Sequence, residues 1–337
     1  MGKRNSNPLF VAVFVCMLCA PAFAAVAPYQ DPGTSAQAVK SPDCDKPQDH
    51  FVTVKGRRVH YLEAGAGPTI VLIHGNAGNV DDFSYRAIRV LCTDYKIVAV
   101  DRPGHGKSDR LNEKPEQLES QAALLHETLT SLGIKRPILI GHSWGASLAL
   151  AYAVHYQDDI ASMVLLAPAA YAEKEESWWW MSTFVKPPVI GDVTLGLGRL
   201  FFAKSMLKKE LKHAFYPQDV PEDYLKSATA SWLGHKQLRA YLEDEWKLNE
   251  SLKKLSHHYS EIHVPVVIVT GDADKICPPQ ENAYPLKAAI RNSQLVELKH
   301  MGHEIPQTDP TSIRNALTLA ATATARNQSG QTERPTH

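Results

Sequence analysis

Ile138-Leu139-Ile140-Gly141-His142-Ser143-Trp144-Gly145-Ala146-Ser147-Leu148-Ala149 joins an apolar run to a helix-like run through one glycine-flanked turn. The apolar run suits a strand buried on both faces of a sheet, and residues 146–156 read as a helix. A serine in a Gly-x-Ser-x-Gly turn between the two is presented outward at the strand end, with the helix starting beneath it. That position exposes a hydroxyl for nucleophilic attack and leaves the Trp144 N–H free to face a developing oxyanion. The competing reading of the five residues alone is a serine that caps a helix. What separates the two is whether an acid and then a histidine follow, each at a strand end.

Working outward, residues 69–73, 96–100, 137–140, 162–166 and 266–269 are further short, continuous apolar runs. Helix-like stretches at 81–93, 115–132, 146–156 and 280–290 separate them, which is a βαβ alternation with helices on both faces of a mostly parallel sheet. Ahead of these, 51–54 and 58–62 alternate about Lys55-Gly56-Arg57 and read as an edge hairpin. The alternation stops over 171–256, where aromatic-rich amphipathic patterns, broken by Pro187-Pro188 and Gly191, predict an inserted helical cap. A last strand at 295–298 and a helix over 311–325 close the core. The expected organisation is therefore an α/β sandwich core at 51–170 and 257–325, the cap at 171–256, and a disordered polar tail at 326–337.

The N-terminus has Lys3 and Arg4, an apolar stretch over 9–20, and Ala22-Phe23-Ala24 before Ala25, the pattern of a secretory signal peptide at 1–24. The apolar stretch is shorter than the roughly 20 residues of a membrane span; an uncleaved anchor is the alternative. Cys16 and Cys19 lack the preceding small-residue pattern of a lipidation site. Residues 25–50, with Pro28, Pro32, Pro42 and Pro47, read as an irregular linker. Cleavage leaves Cys44, Cys92 and Cys277, enough for one disulfide and a free thiol but no disulfide framework. A secreted or periplasmic location follows.

The 337 residues are 44% hydrophobic and 21% charged, with Lys plus Arg and Asp plus Glu at 36 each. That balance excludes global disorder and gives no reason to expect nucleic acid or a charged membrane surface as partner. The expected partner is a small-molecule acyl substrate. Oligomeric state is not legible.

The acid and the histidine both follow. Gly271-Asp272-Ala273-Asp274 comes after the strand at 266–270, and Met301-Gly302-His303 after the strand at 295–298. Both lie beyond strand C-termini, where ligands gather in open α/β sheets. Asp272 competes with Asp274, and His300 with His303; a turn role for the acids and plain solvation for the histidines are the simpler alternatives. Three residue types at three strand ends in the order Ser, Asp, His favour catalysis. His74-Gly75-Asn76-Ala77-Gly78 follows the strand at 69–73, so the Asn76 N–H is the candidate second oxyanion donor beside that of Trp144. Loss of one such donor costs about 3 kcal/mol in a transition state. The 15 histidines include His257-His258 and His300-x-x-His303, but adjacent histidines point apart and no metal site is expected.

These motifs resemble the α/β-hydrolase superfamily over 51–325. Asp101-Arg102-Pro103-Gly104-His105-Gly106-Lys107-Ser108 is similar to the Asp-x-x-Gly-x-Gly-x-Ser loop of capped members, and Gly302-His303-Glu304-Ile305-Pro306 to their Gly-His-x-x-Pro ending. The resemblance implies Ser143 as nucleophile, Asp274 as acid and His303 as base, with Asn76 and Trp144 as oxyanion hole and no cofactor. Serine at position 143 argues against epoxide-hydrolase and dehalogenase chemistry, whose family members use aspartate there. Gly-x-Ser-Trp-Gly and Cys277-Pro278 also resemble prolyl iminopeptidases, whereas His74-Gly75-Asn76-Ala77-Gly78 departs from their oxyanion loop.

The expected function is a secreted carboxylesterase-like serine hydrolase acting on a small or medium uncharged acyl substrate. The alternatives are a proline-iminopeptidase-like aminopeptidase and, from another class, a non-catalytic ligand-binding protein on the same fold. An aminopeptidase needs carboxylates for the substrate ammonium, and Glu173, Glu175, Glu176, Glu243, Asp244 and Glu245 are the candidates, against the plainer reading of exposed helix charges. Trp178-Trp179-Trp180, Phe184 and Phe201-Phe202 are candidates for an apolar acyl pocket or for packing of the cap.

Overall fold

The short Val-, Ile- and Leu-rich runs assemble into one eight-stranded sheet, in which β-branched side chains pack on both faces. A computed structural model of the chain describes residues 44, 46–84, 86–111, 116–173, 203–232 and 234–332. The signal segment, most of the linker, Glu175, Glu176, Trp178 to Trp180, Phe184, Phe201 and Phe202 lie outside the described residues.

The strands are β1 (Gln48–Val54), β2 (Arg57–Ala64), β3 (Thr69–Ile73), β4 (Lys96–Val100), β5 (Ile138–His142), β6 (Ser162–Leu166), β7 (Val266–Gly271) and β8 (Ser293–Leu298), in the spatial order β1-β2-β4-β3-β5-β6-β7-β8. β2 pairs antiparallel with β1 and β4, and every other pairing is parallel. Lys55 and Gly56 form the β1–β2 turn with φ of 50° and 74°, the mirror-image turn that suits strand twist. Strand order reverses at β3, whose neighbours are β4 and β5. Such a reversal opens a crevice beyond the strand C-termini, and the chain leaves β3 at His74 and β5 at Ser143 into that crevice.

Helices α1 (Asp81–Ser84), α2 (Ala87–Leu91), α3 (Leu118–Ser131) and α4 (Trp144–Tyr156) precede β6. Between β6 and β7 the described residues form α5 (Ala203–Phe215), α6 (Glu222–Trp232) and α7 (His235–Leu255). Then come α8 (Ala283–Ala289), α9 (Ile305–Thr308) and α10 (Pro310–Thr332). One apolar core packs α3, α4 and α8 on one face of the sheet; the other packs α1, α2, α9 and α10 on the opposite face.

Three boundaries differ from expectation. β1 begins at Gln48, inside the stretch read as linker, because its backbone pairs with Glu63 to Arg57 of β2 whatever its polarity. The helix-like stretch at 81–93 is two short helices rather than one. The final helix runs to Thr332, past Ala325 where a disordered tail was expected. Ile313, Ala316, Leu317 and Ala320 dock it on the sheet, and an anchored helix extends at little cost through residues that lack proline. Cys44 and Cys92 form a disulfide, and Cys277 is a free, buried thiol. Among the described residues no helix is long and apolar enough to cross a membrane.

Candidate active site

Ser143 sits between β5 and α4 with φ 53° and ψ −119°, so the strained torsion of the turn falls on the serine itself. The flanking glycines serve close approach instead. A Cβ on Gly141 would lie 2.4 Å from the Gly145 carbonyl oxygen, and one on Gly145 would lie 2.2 Å from that of Ile73. A larger residue at 141 would push β5 off the start of α4, and one at 145 would push the turn off β3. Ser143 keeps partial exposure while its neighbours His142 and Trp144 are buried.

Asp274, beyond β7, and His303, beyond β8, come together: His303 Nδ1 lies 2.9 Å from Asp274 Oδ2. The other carboxylate oxygen accepts the backbone N–H groups of Ile276 at 2.8 Å and Cys277 at 2.9 Å. Burial favours the neutral acid, but His303 and these donors outweigh it and hold Asp274 below its ordinary carboxylate range. Burial likewise disfavours imidazolium at His303, yet the Asp274 carboxylate wins and raises its pKa above the ordinary value. The rival acid, Asp272, is exposed and pairs with Lys299 at 3.7 Å. His300 is exposed as well, and its carbonyl accepts from Gln218.

The His303 backbone is pinned from two sides. Its N–H donates to Ala214 of α5 at 3.0 Å, and its carbonyl accepts from His142 Nε2 at 3.0 Å. Burial lowers the His142 pKa to about 3, so it is a neutral donor that ties the serine turn to the histidine loop. Sequence reading missed this residue; its only signal was a polar side chain at the end of an otherwise apolar strand.

Asn76, on the loop after β3, is locked by its side chain. Its Oδ1 accepts from Arg102 Nη2 at 3.1 Å, and its Nδ2 donates to Glu245 at 2.7 Å and to the Tyr241 carbonyl at 3.3 Å. Arg102 is buried, its guanidinium 3.8 Å from the Trp144 ring centroid and also bonded to the Gly75 carbonyl and to Asp244 of α7. One arginine therefore braces both loops that carry the candidate oxyanion donors. The Trp144 N–H opens α4, where the first-turn donors have no helical acceptor, while its indole is buried beneath Arg102.

These groups line a cavity of about 280 Å³ that contains Asn76, Ser143, Trp144, Cys277 and His303. The Ser143 hydroxyl stands beside the buried Cys277 thiol in this cavity. Of the acids considered for an ammonium, Glu173 and Glu245 line the cavity, whereas Glu243 and Asp244 are tied to Arg110. Asp244 overturns the expectation of an exposed helix charge, since it is fully buried between Arg102 and Arg110.

The family described as alpha/beta hydrolase fold matches residues 68–310. A 2-hydroxy-6-oxononadienedioate/2-hydroxy-6-oxononatrienedioate hydrolase of Paraburkholderia phymatum is 27% identical over 236 residues, 66% of this chain and 76% of the relative. Lipase 1 of Psychrobacter immobilis is 26% identical over 252 residues, 74% of this chain and 75% of that protein. Among solved structures, a serine hydrolase involved in carbazole degradation superposes with a TM-score of 0.67 at 19% identity, covering 82% of this chain and 99% of its own.

Proposed function

The chain belongs to the α/β-hydrolase family, and we propose that within it the protein is a secreted serine hydrolase that cleaves a carboxylic ester through an acyl-enzyme on Ser143. The observation that carries this reading is the Asp274–His303 contact opening onto the same cavity as the strained Ser143 turn. His303 takes the Ser143 proton, Ser143 Oγ attacks the acyl carbon, and the Asn76 and Trp144 N–H groups receive the oxyanion. His303 then gives its proton to the departing oxygen, and a water activated by His303 releases the acid. Asp274 holds the imidazole tautomer throughout. The Ser143–His303 hydrogen bond forms on substrate binding, as catalytic hydrogen bonds often do.

Secretion is supported by the basic-then-apolar N-terminus and by the Cys44–Cys92 disulfide, which suits an oxidising compartment. The Paraburkholderia relative is named for a dioate, a substrate with two carboxylates. Among the described residues lining this cavity, the charged ones are Asp82, Glu173, Glu210, Glu245, Glu304 and the candidate base His303, with no lysine or arginine. That lining disfavours a dianion. Glu173 and Glu245 keep an aminopeptidase as the second reading, since both line the cleft and desolvation raises the pKa of both carboxyls.

The test is fluorophosphonate labelling with Ser143→Ala as control, followed by turnover of short p-nitrophenyl esters and proline arylamides. Labelling and ester cleavage that both vanish in the variant support the proposal. Full ester turnover in Ser143→Ala sinks the catalytic assignment; arylamide cleavage with negligible ester turnover selects the aminopeptidase. No labelling of folded protein selects a binding role.

A further inference from the structure

Two of the cavity carboxyls are set apart from the rest. Asp82, on α1, is 9% exposed, and its only side-chain partner among the described residues is the Tyr224 hydroxyl of α6 at 3.2 Å. Glu304 directly follows His303, and no hydrogen bond or ion pair forms at its carboxyl among the described residues. Both line the cavity that holds Ser143, and so does Tyr224. Burial raises the pKa of both groups; at Asp82 the neighbouring Glu304 adds to the rise, whereas at Glu304 the His303 charge opposes it before Asp274 adds to it. A carboxyl with a raised pKa in a desolvated site holds its proton, and a cation bound against it favours the charged form instead.

Place decides which part of the substrate carries that cation. In acyl transfer the histidine protonates the departing oxygen, so the leaving group lies against the histidine as the acyl–oxygen bond breaks. Glu304 is the next residue to His303, and its charge acts on that imidazole. Asp82 and Tyr224 line the same cavity, and the Glu304 charge acts on both. Of the other three acids, Glu173 and Glu245 belong to a separate group beside Cys277 and Asn76, and Glu210 acts on Tyr241.

Resting on the acyl-hydrolase reading, we propose that Asp82 and Glu304 form a leaving-group subsite for a cation, so that the substrate class is a short-chain ester of an alcohol bearing an alkylammonium group. The Ser143 Oγ–acyl carbon bond forms, the acyl carbon–alkoxy oxygen bond breaks, and the His303 proton goes to that oxygen to release the amino alcohol. Water then takes the acyl group, and the net reaction consumes one water per ester. The cation keeps its charge throughout and only neutralises the two acids.

The test compares two isosteric butyrate esters, one of 2-(trimethylammonio)ethanol and one of 3,3-dimethylbutan-1-ol, by acid release at low salt. The expected result is a kcat/KM about tenfold or more higher for the cationic ester, the range measured for close charge pairs. That ratio should fall toward one in Glu304→Gln and in Asp82→Asn, and should shrink as salt is added. Inhibition of the unmodified protein by the two free alcohols, read without any substitution, should show the same preference. Equal Ser143-dependent turnover of both esters, or a preference unchanged in folded Glu304→Gln, overturns the subsite and leaves the acyl-hydrolase reading standing. Failure of both esters together with absence of fluorophosphonate labelling overturns that reading and this inference with it.

Discussion

Arg102 Nη1 lies 2.7 Å from Asp244 Oδ2, an ion pair in which the side chains are 1% and 0% exposed. It joins the loop after β4 to helix α7 of the insertion, and the same guanidinium holds Asn76 and covers Trp144. The insertion is thereby coupled to the candidate oxyanion hole through one residue. Burial lowers the Arg102 pKa to about 10 even against the pull of Asp244, so the guanidinium stays charged and needs its partner.

Asp244→Ala should therefore destabilise the protein by about 3–5 kcal/mol, the cost of stranding a buried charge. Denaturant unfolding measures it. Because Asn76 loses its brace with Arg102, kcat should fall as well, whereas a change on an exposed helix face would leave both within error.

The raised His303 pKa sets the acid limb of activity. The proposed base works only when neutral, so kcat/KM should rise with pH through an inflection above 6.5, the ordinary imidazole value. Asp274→Asn removes the charge that raises it and misorients the ring. The inflection should move down and kcat should drop roughly 10⁴-fold. A pH–rate profile of both proteins checks the sign; an inflection that stays in place would contradict it.

His60 is buried between Asp101, 2.6 Å from Nδ1, and Asp49, 2.7 Å from Nε2. Burial lowers its pKa, but the two carboxylates outweigh that and raise it above 6.5. With the folded value above the unfolded one, its stabilisation is full below the unfolded pKa and is lost as pH rises through the folded pKa. Denaturation midpoints should decline across that window in the unmodified protein and decline less in His60→Gln.

The Cys44–Cys92 disulfide closes a sequence separation of 48 residues and ties the segment before β1 to the residue after α2. On loop-closure entropy its reduction should cost roughly 4 kcal/mol. Thermal unfolding with and without a reductant measures this, and Cys92→Ser should reproduce the reduced protein.

The parallel-sheet strands were readable because strands buried on both faces must be continuous apolar runs, and the Ser143 turn was readable because its glycines have no substitute at that packing distance. The order Ser143, Asp274, His303 was equally visible. The choice between Asp272 and Asp274 was not physically visible in one dimension: the two carboxylates stand two residues apart, and only the loop's path turns one to His303 and the other to Lys299. His142 escaped notice because its role is a hydrogen bond to a carbonyl 161 residues away.

The local pattern of this chain determines its sheet, the strained serine turn and the two strand-end loops that carry the candidate acid and histidine, since each follows from periodicity, turn chemistry or position at a strand end. Tertiary structure alone decides which charges are paired. Asp244 and Glu245 are neighbours on one helix, yet Asp244 is sealed between two arginines and Glu245 opens into the cavity. Charge pairing is a property of distance between segments remote in sequence, and burial sets how much each unpaired carboxyl costs. For that reason the acid-lined wall beside His303, and the cation it calls for, emerge only once the chain is folded.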